Sequence, residues 1–336
     1  MNWLALDIGG ANLKIANGAG YAATRPFALW QDSSRLHEAI EALLAAAPAS
    51  EAIAVTMTGE LADCYTTKAE GVGHILGAVA RAAADRRLRV YRNDGQFVAP
   101  AEAIADPRPI AAANWHALAR FVGRFSMPGM SLLIDIGSTT TDVILLIDCF
   151  PAAQGITDTQ RLATGELVYT GIARTPVATL VPALPYRGQT CSVAREWFAT
   201  TQDVYLTLEE LPEDEANLNT ADGKPATKLA ARTRLARMIC ADEDLFTSQD
   251  AAEMAATIMQ SQLDLVTAAV NQVLGGYPEQ LQSVVISGCG EFLARRVVRV
   301  VAPHVKLLSL SQLAGVQISH CAAAHAVAVL AEEECR

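Results

Sequence analysis

The chain is short of positive charge. Its 336 residues carry 26 Lys and Arg against 36 Asp and Glu, a formal net charge of −10. A nucleic-acid binder normally presents a basic face, so the balance argues against that class. Long hydrophobic runs are missing too. No stretch of about 18 uncharged apolar residues occurs, which leaves no candidate transmembrane helix. No basic segment precedes an apolar one at the N-terminus, and Asp7 interrupts the first hydrophobic stretch, so no signal peptide is expected. Paired cysteines are also lacking: there are seven, scattered and never in a CxxC spacing. That fits reduced thiols in a cytoplasm better than a disulfide framework. Low-complexity tracts are absent. With 51% hydrophobic and 18% charged residues the composition is globular, and the length suits two domains.

What is present is concentrated in two stretches. "LLIDIGSTTTDVILL", residues 132 to 146, is an apolar strand broken by Asp135, Gly137, Ser138, Thr139, Thr140, Thr141 and Asp142. "WLALDIGGANLKIA", residues 3 to 16, places Asp7, Gly9, Gly10, Asn12 and Lys14 in the same way. Both read as β-hairpins with glycine turns, a local duplication of one motif. Around them, periodicity predicts helices over 34–46, 71–85, 109–125 and 251–274, the last stopped by Gly275-Gly276. Strands are expected at 52–56 and 88–94, and a loop followed by a helix over 165–181. A strand, glycine turn and helix are expected over 283–301, and a final helix over about 319–333. The pattern is α/β, with one domain over 1–129 and a second over 130–336. Within the second, about 199–225 holds seven carboxylates from Asp203 to Asp222 and no Lys or Arg between them. It reads as a solvated insertion or a lid, followed by a basic stretch, Lys228 to Arg237.

The paired hairpins have a chemical reading. An Asp at the end of a strand is a carboxylate fixed by a rigid sheet. Glycines let backbone N–H groups approach a phosphate closely, and Ser and Thr hydroxyls add donors. Mg²⁺ prefers one or two carboxylates plus water and substrate phosphates. Asp7 and Asp135 are therefore the candidate metal residues. Gly9, Gly10, Asn12, Lys14, Gly137, Ser138, Thr139 and Thr140 form the candidate phosphate cradle. A third element, "VVISGCGE", sets Gly288, Gly290 and Glu291 between a strand and a helix, where a base or ribose could pack on bare backbone. Cys321 and His325 lie four apart on a predicted helix, but with no third partner at sensible spacing they read as core rather than as a metal site.

Taken in order, the three elements resemble the phosphate-1, phosphate-2 and adenosine motifs of the actin, sugar kinase and Hsp70 superfamily. That resemblance implies two RNase H-like domains flanking a cleft. "DIGSTTTDVILL" and "GELVYTGIARTPVATL" resemble its hydantoinase/oxoprolinase branch. "LDIGGANLKIA", "TGELADCYTTKAEG", "AAANWHALA" and "RLARMICAD" are similar to stretches of the tetrahydromethanopterin-linked C1-transfer proteins. The group implies a transferase of methanofuran or methylofuran biosynthesis. Its donor is an aminomethylfuran methyl diphosphate. Its acceptor is the phenol of γ-glutamyltyramine or a tyrosine-derived analogue, and pyrophosphate leaves. On this reading Lys14 or Lys68 supplies cationic charge, and Arg174 either clamps an anion or pairs structurally. The phenol, with an ordinary pKa of about 10, needs a general base, for which Glu60 and Asp142 are the candidates. The alternative is an ATP-dependent small-molecule kinase or a hydantoinase/oxoprolinase-like hydrolase, with ATP in the cleft. In either case the partners are small molecules, with Mg²⁺ as cofactor, and a homodimer is left open.

Overall fold

The computed structural model describes residues 2–275 and 280–335. The first sheet contains β1 (Trp3–Ile8), β2 (Asn12–Ala16), β3 (Ala22–Pro26), β4 (Ala52–Met57), β5 (Arg87–Tyr91) and β6 (Phe97–Val98). Their order is β3-β2-β1-β4-β5-β6. β1, β2 and β3 run antiparallel, and β4 and β5 join β1 in parallel through the crossover helices Leu36–Ala45 and Lys68–Ala83. Every residue of β1 and β4 is buried, as strands covered on both faces must be.

The second sheet repeats this plan. It is built from β7 (Met130–Ile136), β8 (Thr141–Ile147), β9 (Phe150–Pro151) and β10 (Leu167–Val168), and later from β13 (Leu281–Ser287) and β14 (Lys306–Ser309). A separate ribbon, β11 (Ala183–Tyr186) with β12 (Gln189–Ser192), lies between them in the chain. The sheet order is β10-β8-β7-β13-β14, with β9 on β8. Again three strands are antiparallel and two join in parallel. Two sheets with this order and these directions are the two RNase H-like domains of an actin-like fold.

Between the sheets lies a shared core. The helices Asn114–Gly123 and Ala322–Glu334 bring Trp115, Phe121, Ala326 and Leu330 against Trp3 and Ala54 of the first sheet and Leu133 and Ile144 of the second. The C-terminal helix thus also packs on β1 and β4 of the first sheet.

Three expectations need correction. The helix read over 109–125 starts at Asn114, because Ala112 takes a left-handed conformation (φ 49°) that breaks it. Over 165–181 the chain forms β10 and then a helix of only Val177–Leu180. The acidic segment is not wholly solvated: Thr201–Thr207 is a helix with Asp203, Val204, Tyr205 and Leu206 buried. Asp203 binds buried Arg234 at 2.7 Å, Arg234 also reaches Asp222 at 3.0 Å, and Lys228 reaches Glu209 at 2.7 Å. The cations sit on the next helix, Lys228–Arg237. The long helix Ser248–Val273 is opened by a capping box between Thr247 and Asp250, and Gly275 follows it at φ 60°. Gly276 lies outside the described residues.

Candidate active site

The two glycine hairpins meet at the cleft. Each turn closes on itself: the Gly9 N–H donates to the Asn12 carbonyl at 3.0 Å, and the Gly137 N–H to the Thr140 carbonyl at 2.9 Å. These two N–H groups are therefore spent inside the turns and are not the phosphate donors expected. Gly10, Thr139 and Thr140 line the cavity between the domains. Asn12 Nδ2 donates to Ser138 Oγ at 3.5 Å, tying one turn to the other.

Strand register places the charges. Asp7 lies opposite Lys14 in the β1–β2 pair, and Asp135 opposite Asp142 in the β7–β8 pair, so each pair shares a face. Asp7 is buried and its Oδ1 has no partner. Burial raises its pKa and Asp142 adds to this, while Lys14 opposes. Asp135 accepts from Ser287 Oγ at 2.5 Å and is pushed up to about 6, by burial first and then by Asp142. Burial works to lower the Lys14 amine, but Asp7 and, further down, Asp135 hold it above its ordinary value. Asp142 raises both Asp7 and Asp135, and Asp7 keeps an orphaned oxygen, so Asp7 and Asp135 are the pair that could hold a hydrated divalent cation. Among the described residues no group of three or more His, Cys, Asp or Glu is placed to hold a metal by protein ligands alone. Mg²⁺ does not need one, since it keeps several waters. Near the C-terminus, Cys321 instead bonds Thr24, and His325 packs edge-on to Phe121.

The two candidate bases differ. Asp142 accepts from Arg161 Nη2 at 2.5 Å. Arg161 is buried, also donates to the Glu166 carbonyl at 3.0 Å, and stacks over Trp115 at 4.4 Å. Burial raises the pKa of Asp142 and Arg161 opposes this, but the ion pair commits the carboxylate oxygen to Arg161, which argues against Asp142 as the base. Glu60 lies in the short 3₁₀ turn Gly59–Leu61 after β4, not at a helix N-terminus. It is buried and neither oxygen has a hydrogen-bond partner. Burial pushes it up to about 7. Gly71 makes this possible, because a Cβ there would lie 2.3 Å from the Glu60 carbonyl oxygen.

The cations are distributed differently from expectation. Lys68 opens the Lys68–Ala83 helix, capped by Thr67, instead of lying in a loop. Its Nζ is 2.5 Å from Asp158 of the second domain and 3.8 Å from Glu60. Arg174 lies over the Trp30 ring at 4.3 Å. Arg174 and Trp30, but not Lys68, line a cavity of about 330 Å³, together with Asp142, Arg161, Tyr169 and Trp197. Tyr169 and Trp197 are 61% and 54% exposed, and both face this space.

The third glycine element does not offer bare backbone to a base or ribose. A Cβ on Gly288 (φ 88°) would sit 2.3 Å from the Ile136 carbonyl oxygen, and one on Gly290 2.4 Å from Ile136 Cγ2. The phosphate-2 hairpin fills that space. Glu291 is likewise engaged internally, accepting from Ser309 Oγ at 2.5 Å, the Ser311 N–H at 2.8 Å and Ser319 Oγ at 2.6 Å.

Sequence reasoning missed Arg161, Asp158, Trp30, Tyr169 and Trp197. Only the tryptophans left a signal. There are four in the chain, and Trp30 and Trp197 sit in polar surroundings ("LWQDSS", "AREWFATT") that a core tryptophan seldom has.

Among the described residues no helix is long and apolar enough to cross a membrane. The solved structure of an archaeal actin homolog in complex with ADP aligns over 99% of this chain and 100% of its own, at 12% identity and a TM-score of 0.49. A curated protein of Methanocaldococcus jannaschii, named (4-{4-[2-(gamma-L-glutamylamino)ethyl]phenoxymethyl}furan-2-yl)methanamine synthase, is 32% identical over 334 residues, 98% of each chain. A protein of the same name from Methanococcus vannielii is 30% identical over 205 residues, 60% of this chain and 91% of its own. Residues 51–333 match the family described as hydantoinase/oxoprolinase. With that match over most of its length, the chain belongs to the hydantoinase/oxoprolinase family.

Proposed function

We propose that this chain is a transferase of methanofuran-type cofactor biosynthesis in tetrahydromethanopterin-linked one-carbon metabolism. It joins an aminomethylfuran methyl diphosphate to the phenol of γ-glutamyltyramine, or of a tyrosine-derived analogue, and releases pyrophosphate. The observation that carries this reading is the cavity itself. The turns of both phosphate-type hairpins open into a space walled by Trp30, Tyr169 and Trp197. Such walls suit two aromatic reactants beside a diphosphate. The full-length identity to a protein named as such a synthase supports the same reading.

In the reaction the phenol oxygen bonds to the furan methylene carbon. The bond from that carbon to the diphosphate oxygen breaks, and the electron pair leaves with pyrophosphate. The phenolic proton passes to Glu60. The turns at Gly10 and Thr139–Thr140 orient the diphosphate, and Lys14, Arg161 and Arg174 bring positive charge to it. When bound at Asp7 and Asp135, Mg²⁺ supplies charge neutralisation of the leaving diphosphate. A cytoplasmic setting is supported by the seven cysteines, all free.

The test compares two mixtures by mass spectrometry, each with Mg²⁺ and γ-glutamyltyramine: one with the furan diphosphate, the other with ATP and the furan alcohol. Ether and pyrophosphate are expected from the first alone, and to be lost in Asp7→Ala and Asp135→Ala. ADP or AMP from the second mixture, with no ether in the first, would overturn the reading in favour of an ATP-dependent kinase or hydrolase.

A further inference from the structure

A second cavity, of about 540 Å³, borders Trp197. Trp197 lines both. It lies in the chain between β12 and the Thr201–Thr207 helix. The walls of the second cavity are apolar, from Pro176, Val181, Pro182 and Val193. Two charges of opposite sign stand beside Trp197 on this lining, Arg195 and Glu196. Both are exposed, and neither forms an ion pair among the described residues. The Glu196 carboxylate accepts from the Trp197 backbone N–H at 2.9 Å.

An apolar trough whose lining also carries a cation and an anion outside any ion pair fits a ligand with an alkyl stem and a zwitterionic head. A guanidinium takes a carboxylate by two parallel hydrogen bonds, and a carboxylate takes an ammonium. An α-amino acid carries both groups on one carbon. We infer that this second cavity binds the amino-acid end of the phenolic acceptor, with Arg195 holding its carboxylate, Glu196 its ammonium and Trp197 the turn between the two cavities. The inference rests on the transferase reading for the identity of the acceptor. It adds the residues that distinguish an acceptor with an amino-acid end from a bare phenolic amine.

Binding tests this without turnover. γ-Glutamyltyramine and tyramine are titrated into the full chain by calorimetry. γ-Glutamyltyramine is expected to bind about tenfold more tightly, as one or two charge-assisted contacts would give. Arg195→Gln and Glu196→Gln should each close that gap with no change in thermal melting, both positions being exposed. Asp7→Asn should leave the gap intact while ether formation is lost. Equal binding of the two compounds to the wild type, or a gap that survives both substitutions, would overturn the subsite. If the gap is present and closes in both variants while the wild type makes no ether, the subsite stands and the transferase reading falls.

Discussion

In the proposed reaction Glu60 takes the phenolic proton, and its energetics can be checked apart from any substrate. A buried carboxylate with no hydrogen bond to either oxygen is costly in its ionised form, and Lys68 at 3.8 Å offsets only part of that cost, so it retains its proton. Its folded-state value of about 7 lies above the ordinary 4.5, so the folded chain holds a proton that the unfolded chain releases. Stability from this group is therefore full below about pH 4.5 and is lost as pH rises toward 7. Glu60→Gln should unfold at higher urea than wild type at about pH 8, by roughly 2 kcal/mol, and nearly together with it at about pH 4. Ether formation should fall about a hundredfold or more, and in the wild type should rise with pH to a plateau above 7. No stability difference at the higher pH would contradict the assignment. Asp7 and Asp135 were legible in the sequence because a charge at the end of an apolar strand stands out. The contrast between Glu60 and Asp142 was not. It depends on Arg161 reaching Asp142, and nothing in "TQRLATG" marks that arginine as buried.

At the scale of elements, the two hairpins and their crossover helices could be read directly, since glycine turns and alternating or continuous apolar strands are strong local signals. Short pieces such as β6 and β10 could not, because two residues pair only when the neighbouring strand is already in place. The acidic segment was misjudged for a related reason: its cations lie on the following helix, beyond the segment whose charges were weighed. The glycine turn after β13 was recognised as an element, yet its bare backbone accommodates Ile136 rather than a ligand. That gives a sharp expectation. In Gly288→Ala the new Cβ would meet backbone 2.3 Å away from a left-handed position, where no flexible side chain can yield. Unfolding in urea should show a loss on the order of 2–3 kcal/mol. A loss below about 0.5 kcal/mol would mean that the turn is not packed against the hairpin as described.

At the scale of the whole molecule, the site exists only because two sheets of the same order face each other. The helices Asn114–Gly123 and Ala322–Glu334 join their cores, and Lys68 meets Asp158 across the cleft. Such pairings are invisible to local pattern: nothing in the sequence near residue 68 refers to residue 158. The fold itself was legible, because each sheet announces its first hairpin with an Asp and a glycine turn. The claim that depends on both domains together is that the cradle releases a diphosphate by breaking its bond to carbon. The most direct measurement places a heavy-oxygen label at the bridging oxygen of the furan diphosphate, with γ-glutamyltyramine as acceptor, and follows the label by mass spectrometry. The label should appear entirely in pyrophosphate, with unlabelled phenol oxygen in the ether. Label retained on the furan methylene, in ether or alcohol, would show cleavage at phosphorus and contradict the account.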